Sequence, residues 1–178
     1  MHEYQDLITL FNQCFKDEYN TQLVKGEDEP IYLPADDTRP YHAIYFARGF
    51  FASALHECAH WLIAGEKRRM LVDFGYWYVP DGRTIQEQTL FQSVEVKPQA
   101  LEWILSKAAK YPFRISVDNL SGEESDSSAF ISAVFSQVKT YCEQGLPTRA
   151  KSFHAALCQF YGTSLHLHID DFDIRSLA

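Results

Sequence analysis

The chain has 178 residues, of which 46% are hydrophobic and 15% aromatic, so we expect residues 1–178 to form a single domain with a substantial core rather than a disordered segment. Its formal charge of −8 disfavours a protein that holds nucleic acid through a general basic field. The N-terminal residues and the lack of a long apolar run predict neither secretion nor a membrane span, and four cysteines without a CxxC pair are typical of a reducing cytoplasm.

The first part of the chain predicts two helices and two short strands. An apolar stripe at spacings of three and four residues predicts a helix over 4–19. Glycine, acidic residues and proline then break the pattern, and two short runs rich in β-forming residues predict strands at 31–33 and 41–46. The sequence FFASALHECAHWLIA at 50–64 contains neither proline nor glycine, so it predicts a helix that ends at Gly65.

The second part of the chain is predicted to be mainly helical. The aromatic run at 70–80 indicates extended structure that ends in a Pro-Asp-Gly turn. Thr84 and Glu87 have the spacing of a capping box, which predicts a helix from Thr84 that Pro98 interrupts or kinks. A loop rich in serine, glycine and acidic residues is expected at 121–128. Two further helices, each followed by a glycine, are predicted at 128–143 and 148–161.

His56, Glu57 and His60 form the pattern H-E-x-x-H inside the second predicted helix. Histidines four residues apart project from the same face of a helix with Cβ atoms about 5–6 Å apart, so both imidazoles can bind one metal ion. Glu57 lies about 100° further round the helix, where its carboxylate can act as an acid or base on a water or substrate. Two core histidines are the alternative, but burying unpartnered imidazoles costs free energy. We therefore favour a metal site.

A metal ion held by two histidines needs a third ligand from another part of the chain. The candidates are three glutamates of the helix that begins at Thr84. We favour Glu95, since a break at Pro98 would turn this part of the chain inward. Glu102 is the alternative if the helix continues without a kink, and Glu87 is expected to cap the helix. Each carboxylate taken alone is more commonly a solvated helix residue.

The ligand set leaves the metal and the reaction open. Two histidines and one glutamate hold zinc for hydrolysis or ferrous iron for oxygen chemistry. In a zinc metallopeptidase Glu57 would activate a water molecule, whereas in an iron hydroxylase it would orient groups or relay protons. A third interpretation is a non-catalytic binding protein with a structural metal.

Other histidines near the C-terminus form a weaker metal motif. His166, His168 and Asp170 contain an H-x-D pattern that resembles half of the facial triad of 2-oxoglutarate oxygenases. Such enzymes need a further histidine downstream, and none follows here, so we expect a polar strand or tail. His42 and His154 stand alone in ordinary segments, and we assign them no role.

Two surface features allow more than one interpretation. Tyr76, Trp77 and Tyr78 lie between the two predicted ligand-bearing helices and are a candidate pocket wall, although such runs are more often core or rim. The basic run 67–69 directly follows the motif helix. We slightly favour solvent-exposed residues whose positive charge opposes the helix dipole over a patch that docks another protein.

Several longer segments resemble one known family. They are DEPIYLPADD (28–37), LHECAHW (55–61), DFGYWYVPDGR (73–83), VEVKPQALEW (94–103) and YPFRISVDNL (111–120). In this order they resemble the bacterial elongation factor P hydroxylase family. The resemblance covers most of the chain and is densest between Gly26 and Gly122.

The resemblance implies an α+β, zincin-like fold in which helices that carry the metal ligands pack on a small sheet. It implies oxygen-dependent hydroxylation of the lysine of elongation factor P that already carries a β-lysyl group. His56 and His60 then correspond to metal ligands and Glu95 to the third, while the role of Glu57 in hydroxylation is open. The resemblance implies Fe(II) as the metal and molecular oxygen as the co-substrate, although zinc fits the same ligands.

A long cationic side chain as substrate implies acidic groups near the metal. Asp36, Asp37 and Asp81 are the candidates that the sequence offers for this role. The basic run 67–69 would then face acidic surface on the partner protein.

Overall fold

The computed structural model describes residues 1–76, 81–117 and 127–177. It is an α+β structure, and no helix within these ranges has the length and hydropathy that a bilayer span requires. The helices and strands, in chain order, are α1 (Tyr4–Tyr19), β1 (Thr21–Lys25), β2 (Ile31–Leu33), β3 (His42–Phe46), α2 (Phe51–Ile63), α3 (Ile85–Ala108), α4 (Ser128–Gln144) and α5 (Thr148–Tyr161).

The three strands form one small mixed sheet in which β3 lies in the centre. β1 pairs with β3 in parallel, and β2 pairs with β3 antiparallel. Leu23 of β1 and Tyr32 of β2 both lie opposite Ile44 of β3, and all three side chains are buried. One face of the sheet therefore packs on the core, and β3 leads directly into α2.

The strands predicted at 31–33 and 41–46 are confirmed, but β1 was not predicted. Its sequence TQLVK is short and half polar, and Asn20 alone separates it from α1. Asn20 adopts the left-handed conformation with a φ of 48°, which ends the helix and reverses the chain. β1 is stabilised by its pairing with β3, about twenty residues away, so local sequence preference gives little sign of it.

An aromatic cluster fixes α2 in the core. Phe11 and Phe15 of α1 contact Trp61 of α2 with ring centroids 5.2 and 4.9 Å apart, and Phe153 of α5 closes the cluster. Burying large aromatic side chains contributes strongly to stability. Because these contacts hold one side of α2, the opposite side is held in a defined orientation.

Two arginines bind the carbonyl groups at the C-terminal end of α2. Arg69 donates a hydrogen bond to the carbonyl of Ala64 (2.8 Å), and Arg149 donates to the carbonyl of Trp61 (2.6 Å) and also to that of Ala64. Positive charge at this end opposes the partial negative charge of the helix dipole. Arg69 therefore opposes the helix dipole at the end of α2, as predicted for the basic run 67–69. The helix α2 ends at Ile63, two residues before Gly65.

The predicted interruption of α3 at Pro98 is wrong. α3 continues from Ile85 to Ala108 with Pro98 inside it. A proline inside a helix has no N–H to donate and costs about 3 kcal/mol or more. Every residue from 98 to 106 is buried, and α3 packs against α2, α4 and α5. This burial offsets the free-energy cost of the proline and keeps the helix continuous.

The capping box at the start of α3 is confirmed. The Thr84 hydroxyl accepts a hydrogen bond from the backbone N–H of Glu87 (3.3 Å), and the Glu87 carboxylate accepts one from the N–H of Thr84 (2.8 Å). Both groups are exposed, so Glu87 serves the end of the helix.

We expect Thr84→Ala to lower the free energy of unfolding by about 1 kcal/mol, since the substitution removes a side-chain cap. Urea unfolding followed by circular dichroism measures the change. Thr89→Ala is the matched control, because Thr89 is an exposed residue of the same helix whose hydroxyl donates a hydrogen bond to the carbonyl of Ile85 in the preceding turn. Equal stability of the two variants would contradict a capping role.

The extended structure predicted over 70–80 is wrong for the residues that the structure describes up to Gly75. Two short 3-10 turns occur there, Arg68–Met70 and Val72–Gly75. Asp73 and Phe74 have φ values of 46° and 59°. Asp73 accepts a hydrogen bond from the backbone N–H of Tyr32 (2.8 Å), and Phe74 stacks on the Tyr32 ring at 4.3 Å. These contacts to β2 override the local preference of an aromatic run for a strand. Residues 77–80 lie outside the described residues.

The last two predicted helices are confirmed as α4 and α5. Gly145 and Gly162 follow them with φ values of 87° and 65°, a conformation that glycine adopts without strain. Residues 118–126, which contain most of the predicted loop, lie outside the described residues.

Candidate metal centre

The face of α2 that points away from the aromatic cluster carries both histidines of the H-E-x-x-H motif. The Nε2 atoms of His56 and His60 lie 3.2 Å apart. The neighbouring helix positions Leu55, Cys58 and Ala59 are fully buried. The helical spacing therefore brings the imidazoles together, and the packing of α2 holds them in place.

Glu95 of α3 completes a cluster with the two histidines. Its Oε1 lies 2.9 Å from Nε2 of His60, and its Oε2 lies 3.5 Å from Nε2 of His56. The carboxylate is 1% exposed. Within the described ranges, these three residues form the one group whose ligand atoms lie close enough to share a metal ion, all within 4.8 Å of one another.

The distances in this cluster fit a divalent metal ion. Metal–nitrogen and metal–oxygen bonds of about 2.0–2.2 Å place neighbouring ligand atoms about 3–3.5 Å apart. The separations of 3.2, 2.9 and 3.5 Å among His56, His60 and Glu95 are close to these values. Two neutral imidazoles and one carboxylate also form a donor set suited to iron or zinc.

Glu102 lies behind His56 rather than at the centre of the cluster. Its Oε2 is 2.7 Å from Nδ1 of His56. An ionised carboxylate can only accept a hydrogen bond, so Nδ1 carries a proton, and Nε2, which lies towards His60 and Glu95, is the nitrogen that can bind a metal ion once His56 is neutral. Glu95 and Glu102 are seven residues apart, which is close to two helical turns and places both on the same face of α3. The two glutamates are therefore neighbours with different contacts.

Gln99, which is not among the predicted site residues, lies between these two glutamates on α3. Its side-chain amide donates to the carbonyl of Ser116 (2.7 Å) and accepts from the N–H of Ser116 (2.9 Å). These bonds hold segment 111–117 beside the cluster. The signal in the sequence is three polar residues at positions i, i+4 and i+7, a spacing that puts them on one face of a helix whose other residues there are apolar apart from the exposed Lys97.

The charges in the cluster strongly affect one another. Burial lowers the pKa of His56, but the carboxylates of Glu102 and Glu95 outweigh burial and raise it to about 10. Burial raises the pKa of Glu95, but the charges of His60 and His56 and hydrogen bonds lower it to about 2. A negative charge on Glu95 is thus favoured at neutral pH, as a metal ligand requires.

We expect a divalent metal ion to displace a proton from His56 at neutral pH. A histidine ligand must be neutral, whereas the carboxylates around His56 hold its pKa at about 10. The metal affinity should therefore rise about tenfold per pH unit for each proton displaced, below that pKa. Calorimetry in two buffers of different ionisation enthalpy measures the proton release, and equal heats in both buffers would contradict the expectation.

A cavity of about 420 Å³ opens beside the cluster at His56. Its lining includes the three glutamates Glu57, Glu95 and Glu102 and one guanidinium, that of Arg114. Burial raises the pKa of Glu57, although the charges of His56 and His60 oppose this rise. The cavity is therefore bordered by His56 and Glu95 of the cluster and by the carboxylate of Glu57.

The aspartates proposed as acidic groups for a cationic substrate do not line this cavity. Asp36 accepts hydrogen bonds from Thr38 and Arg39 within its own turn. Asp37 and Asp81 are exposed residues outside the cavity lining. The acidic side chains near the cluster come from α2 and α3 instead.

The remaining histidines are used elsewhere. His42 accepts a hydrogen bond from the N–H of Ala35 (3.0 Å), and the buried His154 lies 3.5 Å from the sulfur of Cys158. His168 bonds Asp170 on the surface. Of the aromatic run, Tyr76 lines a second cavity, described below, while Trp77 and Tyr78 lie outside the described residues.

An α+β protein in which two histidines of one helix and a buried glutamate of the next converge beside a cavity has the features of a metal-dependent enzyme. The family of elongation factor P hydroxylases matches residues 10–172 of the chain. A protein of Haemophilus influenzae named elongation factor P lysine hydroxylase is 58% identical over 176 residues, which cover 99% of each chain. The chain belongs to the elongation factor P hydroxylase family, so the resemblance seen in the sequence is confirmed.

Proposed function

We propose that this protein is a metal-dependent, oxygen-using hydroxylase that acts on the β-lysylated lysine of translation elongation factor P in the cytoplasm. Family membership and the name of the Haemophilus influenzae relative support the factor as the substrate. The convergence of His56, His60 and Glu95 beside a cavity is the observation that carries the proposed chemistry. The protein is proposed to be a single zincin-like domain that binds its protein substrate without nucleic acid or membrane.

His56, His60 and Glu95 are the proposed metal ligands, with Fe(II) as the working metal. These three residues would fill part of the coordination sphere of the ion, and an iron ion held there would supply open positions and the redox chemistry that activates oxygen. Glu102 fixes the ring of His56 through the hydrogen bond to Nδ1. Gln99 holds segment 111–117 along the same cavity.

Glu57 is proposed to be a catalytic residue. It directly follows His56 on α2, and its carboxylate faces the cavity in which the substrate would lie. In the described part of the chain it makes no hydrogen bond or ion pair, and its carboxylate is therefore available to hold and return a proton at the reacting end of the substrate.

The charge of the cavity matches the proposed substrate. A β-lysylated lysine is long and carries positive charge, and Glu57 and Glu102 supply negative charge in the cavity beyond the proposed ligand Glu95. Attraction between these groups would orient the side chain along the cavity and bring its carbon chain to the metal ligands.

Intact-mass analysis under isotopically heavy dioxygen tests the proposed function. The iron-loaded protein and ascorbate are incubated with lysylated elongation factor P, and unlysylated factor is the matched control. We expect the lysylated factor to gain one heavy oxygen atom and the control to gain none. Oxygen that comes from water instead of the gas would contradict the proposed use of dioxygen. Cleavage of the factor would contradict the proposal and favour the zinc peptidase interpretation.

A further inference from the structure

The cluster of His56, His60 and Glu95 lies between two cavities that differ in charge. The second cavity, of about 580 Å³, begins at His60 and extends between the C-terminal end of α2 and the middle of α3. Its described lining carries two cations, Arg68 and Lys97, and no carboxylate. The cavity at His56 carries three carboxylates and one guanidinium, that of Arg114, so the two sides of the cluster favour ligands of opposite charge.

Arg68 is held in a fixed position at this second cavity. Its guanidinium donates a hydrogen bond to the carbonyl of Phe74 (2.9 Å) and stacks on the ring of Tyr76, 4.1 Å from the ring centroid. Stacking fixes the plane of the guanidinium and leaves further N–H groups at its edge. Across the described ranges, neither Arg68 nor Lys97 forms an ion pair with a carboxylate.

We propose that this cavity is a binding site for a small organic carboxylate, held by Arg68 and Lys97 with its other end towards His60. A guanidinium offers a planar pair of N–H donors that matches the two oxygens of a carboxylate, and a nearby ammonium adds attraction. The volume lies within the range of about 300–1,000 Å³ typical of small-molecule sites. The placement of the cationic lysyl side chain in the cavity at His56 rests on the proposed function. The positive charge of the second cavity does not depend on that function.

Binding of succinate to the full-length protein, metal-free and zinc-loaded, tests the proposal by calorimetry and by NMR of isotope-labelled protein. We expect succinate to bind both forms, to shift the amide signals of Gly65 and Gln137 in the lining, and to bind more tightly than the neutral analogue succinamide. Equal binding of succinate and succinamide, or no binding of succinate, would overturn the proposal.

Three glutamine variants separate this site from general charge effects. Arg68→Gln should weaken succinate binding at least about tenfold, since it removes the paired donors. Lys97→Gln should weaken it about three- to tenfold by removing one charge. Lys151→Gln removes one charge from an exposed position of α5 and should leave the affinity unchanged. Equal affinities of the Lys97 and Lys151 variants would overturn the proposal, even if the Arg68 variant does not fold.

A carboxylate could also come from an acidic side chain of elongation factor P. If the cavity holds a free small molecule, succinate should not compete with binding of the factor, and Lys97→Gln should not weaken that binding. Competition between the two would assign the cavity to protein docking and overturn the proposal. All these readouts measure binding without turnover, so failure of the carboxylate site leaves the hydroxylase proposal testable by the mass measurement.

Discussion

Glu95→Gln should lower the affinity for Fe(II) or zinc by at least about a hundredfold, more than the 10–100-fold that is typical for loss of a supporting partner. The carboxylate is 1% exposed and its two oxygens lie 2.9 and 3.5 Å from the histidine nitrogens. Glutamine keeps the shape of the side chain but removes the negative charge that a divalent ion requires. Hydroxylation of elongation factor P should fall in parallel with bound metal.

Glu87→Gln is the matched control for this prediction. It makes the same chemical change on the same helix, at a residue that serves the capping box. Metal content by mass spectrometry and metal affinity by competition with a chromophoric chelator should be unchanged in this variant. If Glu95→Gln keeps normal metal affinity and its thermal unfolding curve shows an intact fold, Glu95 is not a metal ligand.

Glu102→Ala should lower metal affinity and activity by about 10–100-fold, the usual effect of removing a group that orients a histidine ligand. Glu102 holds the proton on Nδ1 of His56 through a 2.7 Å hydrogen bond, so that Nε2 is free to bind metal. Without this acceptor the imidazole can rotate and can carry its proton on either nitrogen. The role is one of positioning, because Glu102 acts through His56.

Nitrogen NMR of His56 separates positioning from a general loss of structure. We expect one Nδ1-protonated form in the zinc-loaded protein and a mixture of forms, or loss of the zinc-bound signal, in Glu102→Ala. Glu102→Gln retains a carbonyl acceptor and should recover part of the affinity. If Glu102→Ala left the His56 signals and metal affinity unchanged, the positioning role would be wrong.

The local part of the candidate site could be predicted from the sequence. His56 and His60 are four residues apart in a segment without helix breakers, and helical geometry alone brings them to one face. The choice between Glu95 and Glu102 could not be made in the same way. It depends on how α2 packs against α3 and on whether α3 continues through Pro98. The burial of the residues around Pro98 keeps α3 continuous.

The errors in the fold have the same physical origin. β1 exists because it pairs with β3, and the segment around Asp73 and Phe74 turns because both residues contact Tyr32 of β2. Helices with strong periodicity or clear end signals, such as α1 and α5, were predicted with the observed bounds. Local spacing thus predicts elements stabilised within themselves, while long-range contacts decide the rest.

An iron titration of the metal-free protein, with bound iron and hydroxylated elongation factor P measured in the same samples, tests the central claim most directly. We predict that bound iron and turnover rise together and saturate at one ion per chain, and that Glu95→Gln needs at least about a hundredfold more iron for the same occupancy and turnover. Full turnover without bound metal, or normal binding and turnover in Glu95→Gln, would contradict a metal centre formed by His56, His60 and Glu95.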